Sequence, residues 1–185
     1  MAEGGHTLFD TTIGVCGIAW GPEGVVAVQL PEADAARTRA RLLIGLPPLT
    51  EVAQPPAPVQ AAIEGIQALL KGEARDLLEV PLDMTRLTPF QREVYAMTRA
   101  IPPGQTRTYG EMAQALGDAG LARAVGQALG HNPFAPVVPC HRVLAAGARS
   151  GGFSARGGVA TKLRMLQIEG AQIGGEPGLF DGDGA

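Results

Sequence analysis

Between residues 136 and 143 the chain reads Pro136-Val137-Val138-Pro139-Cys140-His141-Arg142-Val143. Prolines around β-branched residues rule out a helix, because proline has no backbone N–H and its ring clashes with the preceding turn. The stretch is expected to be a short, buried, extended segment. Such a segment delivers one thiol to a fixed place. A thiol becomes a nucleophile when a base or a positive charge lowers its pKa. His141 and Arg142 are adjacent candidates, although successive residues on an extended chain point to opposite faces. The pair alone leaves the chemistry open.

The chain has 185 residues, enough for one good-sized domain or two small ones. Its two cysteines, Cys16 and Cys140, are far apart and make no disulfide framework. The three histidines, His6, His131 and His141, show no metal-ligand spacing, so no metal is expected. There is no basic, apolar leader and no run of about 18 apolar residues. A reducing, cytoplasmic setting without a membrane partner is expected. Charge is unevenly spread. Residues 1–84 hold 5 Lys+Arg against 11 Asp+Glu, whereas residues 85–170 hold 10 against 4. A basic segment in an acidic chain is the electrostatic footprint of a nucleic-acid partner, or else an ordinary mixed surface.

The first half reads as a small α/β scaffold, residues 1–82. His6–Asp10, Ile13–Trp20 and Val25–Leu30 are expected strands, the last two joined by Gly21-Pro22-Glu23-Gly24 as a hairpin. Cys16 and Trp20 read as core. Helices are expected over 32–45 and 58–71, and a further strand over Leu77–Leu82. No phosphate-binding glycine loop is present.

The second unit is expected over 88–170, followed by a Gly-rich acidic tail over 171–185. Thr88-Pro89 opens a helix that stops at Pro102-Pro103-Gly104. Thr108 caps a helix over Gly110–Leu116, with Glu111 three residues on. After Gly117–Gly120, a second short helix covers Leu121–Leu129. Two short helices about a glycine turn fit a helix-turn-helix, though many small helical proteins contain such a pair. The second helix is slim, with Ala122, Ala124, Gly126 and Ala128. Glycine inside a helix costs about 1 kcal/mol relative to alanine, which close approach of another backbone would explain, from protein or nucleic acid. Arg123 is its one long cation, suited to a phosphate, a base stack or a surface ion pair. A last helix covers Thr161–Glu169.

These residues form an ordered set: Pro89-Phe90, Ile101-Pro102-Pro103-Gly104, Thr108-Tyr109-Gly110-Glu111, Arg123-Ala124-Val125-Gly126, Asn132-Pro133, Pro139-Cys140-His141-Arg142-Val143 and Glu169-Gly170. The set resembles the O6-alkylguanine-DNA alkyltransferases, also called methylated-DNA–protein-cysteine methyltransferases. The resemblance is specific over 88–170 and architectural over 1–82. It implies an α+β chain, with a ribonuclease-H-like α/β domain before a mostly helical winged helix-turn-helix domain. It implies direct-reversal repair, in which the alkyl group of O6-alkylguanine in double-stranded DNA moves irreversibly to Cys140. O4-alkylthymine is a second candidate lesion. No cofactor and a monomer are implied.

By the same resemblance, a water links Cys140 to His141, Glu169 orients that histidine, and Asn132 ties the helix pair to the cysteine segment. Tyr109, Val143, Phe153 and Ser154 would hold the flipped guanine. Thr108, Tyr109, Arg123, Ala124, Gly126 and Gln127 would contact DNA, with Arg123 filling the gap in the stack. Phe153 stands where a tyrosine often lines the pocket. The loop Ser154–Gly158 is longer than in many members, and His131 precedes Asn132 where glycine or arginine is common.

Three rivals differ in kind. A non-catalytic protein that binds alkylated DNA would lack the cysteine, and Cys140 is present. A winged-helix regulator would need long base-reading side chains on its second helix. A cysteine hydrolase would need a histidine in direct contact with the thiol and an oxyanion hole.

Overall fold

The computed structural model describes residues 3–146 and 158–171. Phe153, Ser154 and all but the first residue of the expected tail lie outside the described residues. Three strands open the chain: β1 (Gly5–Thr11), β2 (Gly14–Gly21) and β3 (Gly24–Gln29). They form one antiparallel meander in the order β1-β2-β3. The β2–β3 turn is tight, with Gly21 paired to Gly24. Gly24 has φ +138, and a Cβ there would lie 2.8 Å from the Pro81 carbonyl oxygen, so only glycine fits. Cys16 and Trp20 are core residues, as expected.

Helix α1 (Ala35–Leu42) is capped by Asp34, whose side chain accepts from the Arg37 N–H. Helix α2 (Ala57–Leu70) buries Val59, Ile63, Ile66, Leu69 and Leu70, which recur at helical spacing and face the core shared with the sheet. Each such side chain contributes about 1.5–3 kcal/mol by leaving water.

The strand expected over Leu77–Leu82 does not form. Leu77 takes a left-handed φ of 57°, and the Val80 N–H closes a turn on the Leu77 carbonyl. Pro81 has no N–H for a ladder. Only a single bridge from Val25 to Leu82 remains. Arg99 fixes this turn to the second half by donating to the Leu77 and Val80 carbonyls, at 2.7 and 3.1 Å.

Helix α3 (Pro89–Arg99) begins at a full capping box between Thr88 and Gln91. A short strand β4 (Arg107–Thr108) leads into α4 (Tyr109–Ala115), capped by Thr108 through the Glu111 N–H. A single 3₁₀ turn, Ala119–Leu121, then gives α5 (Ala122–Gly130). Val125, Ala128 and Leu129 are buried, so α5 turns Arg123, Gln127 and Gly130 outward.

The extended segment expected before Cys140 is replaced by turns. The N–H groups of Val137 and Val138 both reach the Phe134 carbonyl, and Cys140 to Arg142 form a 3₁₀ turn. Proline cannot donate to a ladder, so the segment closes on itself instead of pairing. Strand β5 (Val143–Leu144) follows and pairs parallel to β4. Helix α6 (Val159–Ile168) ends the described chain. Among the described residues no helix is long and apolar enough to cross a membrane.

Candidate active site

Cys140, His141 and Arg142 occupy one 3₁₀ turn and are all buried. In such a turn, neighbouring side chains diverge by about a third of a circle rather than pointing to opposite faces. His141 and Arg142 therefore both reach Glu169, the residue that ends α6. The His141 Nε2 lies 2.6 Å from Glu169 Oε1. Arg142 donates from Nε to Glu169 Oε2 at 2.9 Å and from Nη2 to Oε1 at 2.8 Å, a two-pronged clamp. Its third arm, Nη1, donates to the Ile101 carbonyl at 2.7 Å. The Pro102–Gly104 turn closes over the same place: Gly104 has φ +89, and a Cβ there would lie 3.1 Å from the Glu169 carbonyl oxygen.

Burial pushes the Glu169 carboxyl up, but the hydrogen bonds and charges of His141 and Arg142 outweigh it and hold the group at about 2. Burial pushes His141 below its usual range, against the pull of Glu169. The histidine is thus neutral at pH 7, and the permanent cation facing Glu169 is Arg142. An ionised carboxylate can only accept, so the proton of neutral His141 sits on Nε2. That leaves Nδ1 bare, and it is buried with no hydrogen-bond partner. A bare, buried ring nitrogen is free to accept a proton.

Cys140 keeps 8% of its surface exposed. Burial raises its thiol above the usual range, opposed by a hydrogen bond from Asn132, by the charge of Lys162 and by backbone groups of Cys140 and His141. The resting thiol is neutral and needs a base to become a nucleophile. Asn132 Nδ2 donates to the Val138 carbonyl at 2.8 Å, and its Oδ1 accepts the Phe134 N–H at 2.9 Å. It ties the end of α5 to the cysteine turn. Tyr109, at the start of α4, is half-buried; desolvation and the nearby Cys140 charge raise its hydroxyl, so it stays protonated and able to donate.

Lys162 was not singled out in the sequence. It is buried on α6, and its Nζ donates to the Val143 carbonyl at 2.9 Å. It shares the buried face of α6 with Met165 and Leu166, three and four residues on. A lone cation on an apolar helix stripe was the available clue. Val143 is buried in β5, with its carbonyl engaged by this lysine and one lone pair left over.

The outer face of α5 is a separate surface. Arg123 is exposed and has no hydrogen bond or ion pair among the described residues, so the surface pair open to it is not made. Gly126 is informative in the same way. A Cβ on it would meet only two Tyr109 ring carbons, at 3.9 and 4.0 Å, which is ordinary contact. Protein packing does not require glycine there. Thr108, Ala124 and Gln127 flank this surface, partly or fully exposed. His131 is exposed, with Nδ1 2.8 Å from the Gln127 carbonyl. Among the described residues no cluster of His, Cys, Asp and Glu could hold a metal ion.

The family model for the DNA-binding domain of 6-O-methylguanine DNA methyltransferases matches residues 89–171, the span that carries this geometry. A methylated-DNA–protein-cysteine methyltransferase of Methanothermobacter thermautotrophicus is 33% identical over 171 residues, covering 92% of this chain and 85% of the relative. One from Mycobacterium tuberculosis is 40% identical over 126 residues, covering 68% of this chain and 74% of the relative. The chain belongs to the methylated-DNA–protein-cysteine methyltransferase family. The crystal structure of the M. tuberculosis O6-methylguanine methyltransferase superposes with a TM-score of 0.70 at 30% identity, covering 94% of this chain and 97% of that one. M. tuberculosis OGT in complex with DNA gives 0.71 at 31% identity, covering 89% and 92%. The mixed architecture, a small antiparallel sheet with helices, is that of these methyltransferase structures.

Proposed function

We propose that this methyltransferase-family chain repairs DNA by direct reversal, moving the alkyl group of O6-alkylguanine in double-stranded DNA to the sulfur of Cys140. The observation that carries the reading is the buried set of Cys140, neutral His141 with a bare Nδ1, and Glu169 held ionised by Arg142. His141 takes the thiol proton through a water, and Glu169 stabilises the imidazolium. The thiolate attacks the alkyl carbon in line. The S–C bond forms as the C–O6 bond breaks, and the electron pair leaves with guanine. Tyr109 donates a proton to the guanine ring and regains one from solvent as His141 releases its own. Lys162 supports the thiolate charge. A thioether does not hydrolyse, so each molecule acts once and no cofactor is needed.

A guanine in a duplex is reachable only when flipped out, at a cost of a few kcal/mol. The slim outer face of α5 suits a minor role for side chains and close approach of a backbone, with Arg123 filling the gap. Thr108, Ala124, Gly126 and Gln127 would line that contact. Val143, Phe153 and Ser154 would complete the guanine pocket. In this reading residues 1–82 are a ribonuclease-H-like scaffold and residues 88–170 a winged helix-turn-helix domain. The protein acts as a monomer in the cytoplasm, where a reducing environment keeps the thiol free. O4-alkylthymine is a candidate second substrate.

Incubation with duplex DNA containing O6-methylguanine, followed by peptide mass spectrometry, tests the proposal. One methyl group should appear on the Cys140 peptide, and Cys140→Ala should bind the duplex without accepting it. An unmodified Cys140 peptide after complete incubation refutes the assignment.

A further inference from the structure

Tyr95 lies on α3, away from every motif considered above, yet it is fully buried at the junction of the site's two halves. Its hydroxyl donates to the Ala128 carbonyl at 2.7 Å. Ala128 is in the last turn of α5, where four carbonyls lose their helical partners. The neighbouring carbonyls are closed differently: Gln127 accepts from the His131 N–H, and Leu129 from the Asn132 N–H. The Asn132 N–H would continue the helix by reaching Ala128, but it bends to Leu129 instead, and the phenol takes Ala128. Just past this end of the helix, before Pro133, the Asn132 side chain donates to the Val138 carbonyl at 2.8 Å. The Tyr95 ring also meets Phe134 edge-on, with centroids 6.3 Å apart. Phe134 anchors the turn through its carbonyl, which accepts from Val137 and Val138. One side chain thus touches both the end of the outward-facing helix and the base of the cysteine turn.

We propose that Tyr95 is a positioning residue for the transfer reaction: its hydroxyl ends α5 so that Asn132 is held against the turn that carries Cys140. The inference rests on the reading of Cys140 as the acceptor. Asn132 is a hydrogen-bond donor that favours the thiolate, so loss of the stop weakens thiolate support without touching the base. The charged and titratable groups that couple to the sulfur are Tyr95 on α3, Tyr109 on α4 and Lys162 on α6, while His141 and Arg142 share its turn and face Glu169 at the end of α6. Tyr95→Phe alters only the first and keeps its ring.

The test is the pH profile of Cys140 alkylation by iodoacetamide, followed on the Cys140 peptide by mass spectrometry. Tyr95→Phe should raise the half-maximal pH by about one, which lowers the rate at pH 7 about tenfold. Val94→Ala, a cavity variant at the buried residue just before Tyr95 on α3, should lower the thermal midpoint and leave the profile in place. The proposal is overturned if Tyr95→Phe leaves the profile unmoved, or if Val94→Ala moves it equally. Iodoacetamide needs neither DNA nor an alkylguanine, so this result stands apart from the methyl-transfer test.

Discussion

Gly126→Ala should make the protein more stable and worse at its work. Alanine in place of glycine within a helix gains up to about 1 kcal/mol. Nothing in the protein opposes that gain, because the new methyl would meet only the Tyr109 ring at 3.9 and 4.0 Å. For a chain of this size the thermal midpoint should rise by about 2–4 °C. In the proposed complex with DNA, the same methyl would intrude where a backbone packs against the helix. An added methyl in a close-packed contact costs about 1–3 kcal/mol, so duplex binding should weaken by roughly five- to more than a hundredfold. Circular-dichroism melting measures the first effect. Single-turnover methyl transfer, from a duplex and from a free O6-alkylguanine base, measures the second. Transfer from the free base should be unchanged. A lowered midpoint would show that the helix has no room for the methyl. Unchanged duplex transfer would show that the glycine serves no nucleic-acid contact.

Arg123→Ala should slow transfer from duplex DNA much more than from single strands, and equal slowing in competition assays would reject a stack-filling role. Stability should fall as the medium is acidified, in two windows. Burial holds His141 below its usual value of 6.5, so protonation favours the unfolded chain once pH drops through that value. Glu169 is held near 2, so its contribution is complete above 4.5 and disappears between 4.5 and about 2. Urea midpoints across pH should show both losses, and Glu169→Gln should lack the lower one while being about 3–5 kcal/mol less stable overall, because Arg142 is left buried and unpaired. Lys162→Met keeps the length of a buried side chain but removes its charge; the pH profile of Cys140 alkylation should move upward, and an unmoved profile would assign the lysine to packing against Val143 alone.

Much of the architecture was readable from local rules. The hairpin glycines, the Thr88 and Thr108 caps and the 3.6-residue apolar spacing of α2 each act within a few residues, so sequence reports them directly. The segment 77–82 misled because its apolar content fits a strand, while the left-handed Leu77 and the grip of Arg99 from α3 decide for a turn. The cysteine segment misled similarly: prolines exclude a helix but do not choose between a strand and successive turns. That choice is made by the Phe134 carbonyl, which collects two N–H groups.

By itself, the sequence supplied the candidate nucleophile, the histidine next to it and, through a family resemblance, the motif order of the methyltransferases, because residue type and order along the chain need no tertiary structure to be read. It also determined that α5 would be slim. Only the tertiary structure decided that Arg142 joins His141 on the carboxylate of Glu169, 27 residues further along, that Lys162 is buried near the thiol, and that Tyr95 takes the Ala128 carbonyl at the end of α5. Protonation states and hydrogen-bond partners depend on which distant groups share a dry interior, and chain order does not specify that neighbourhood.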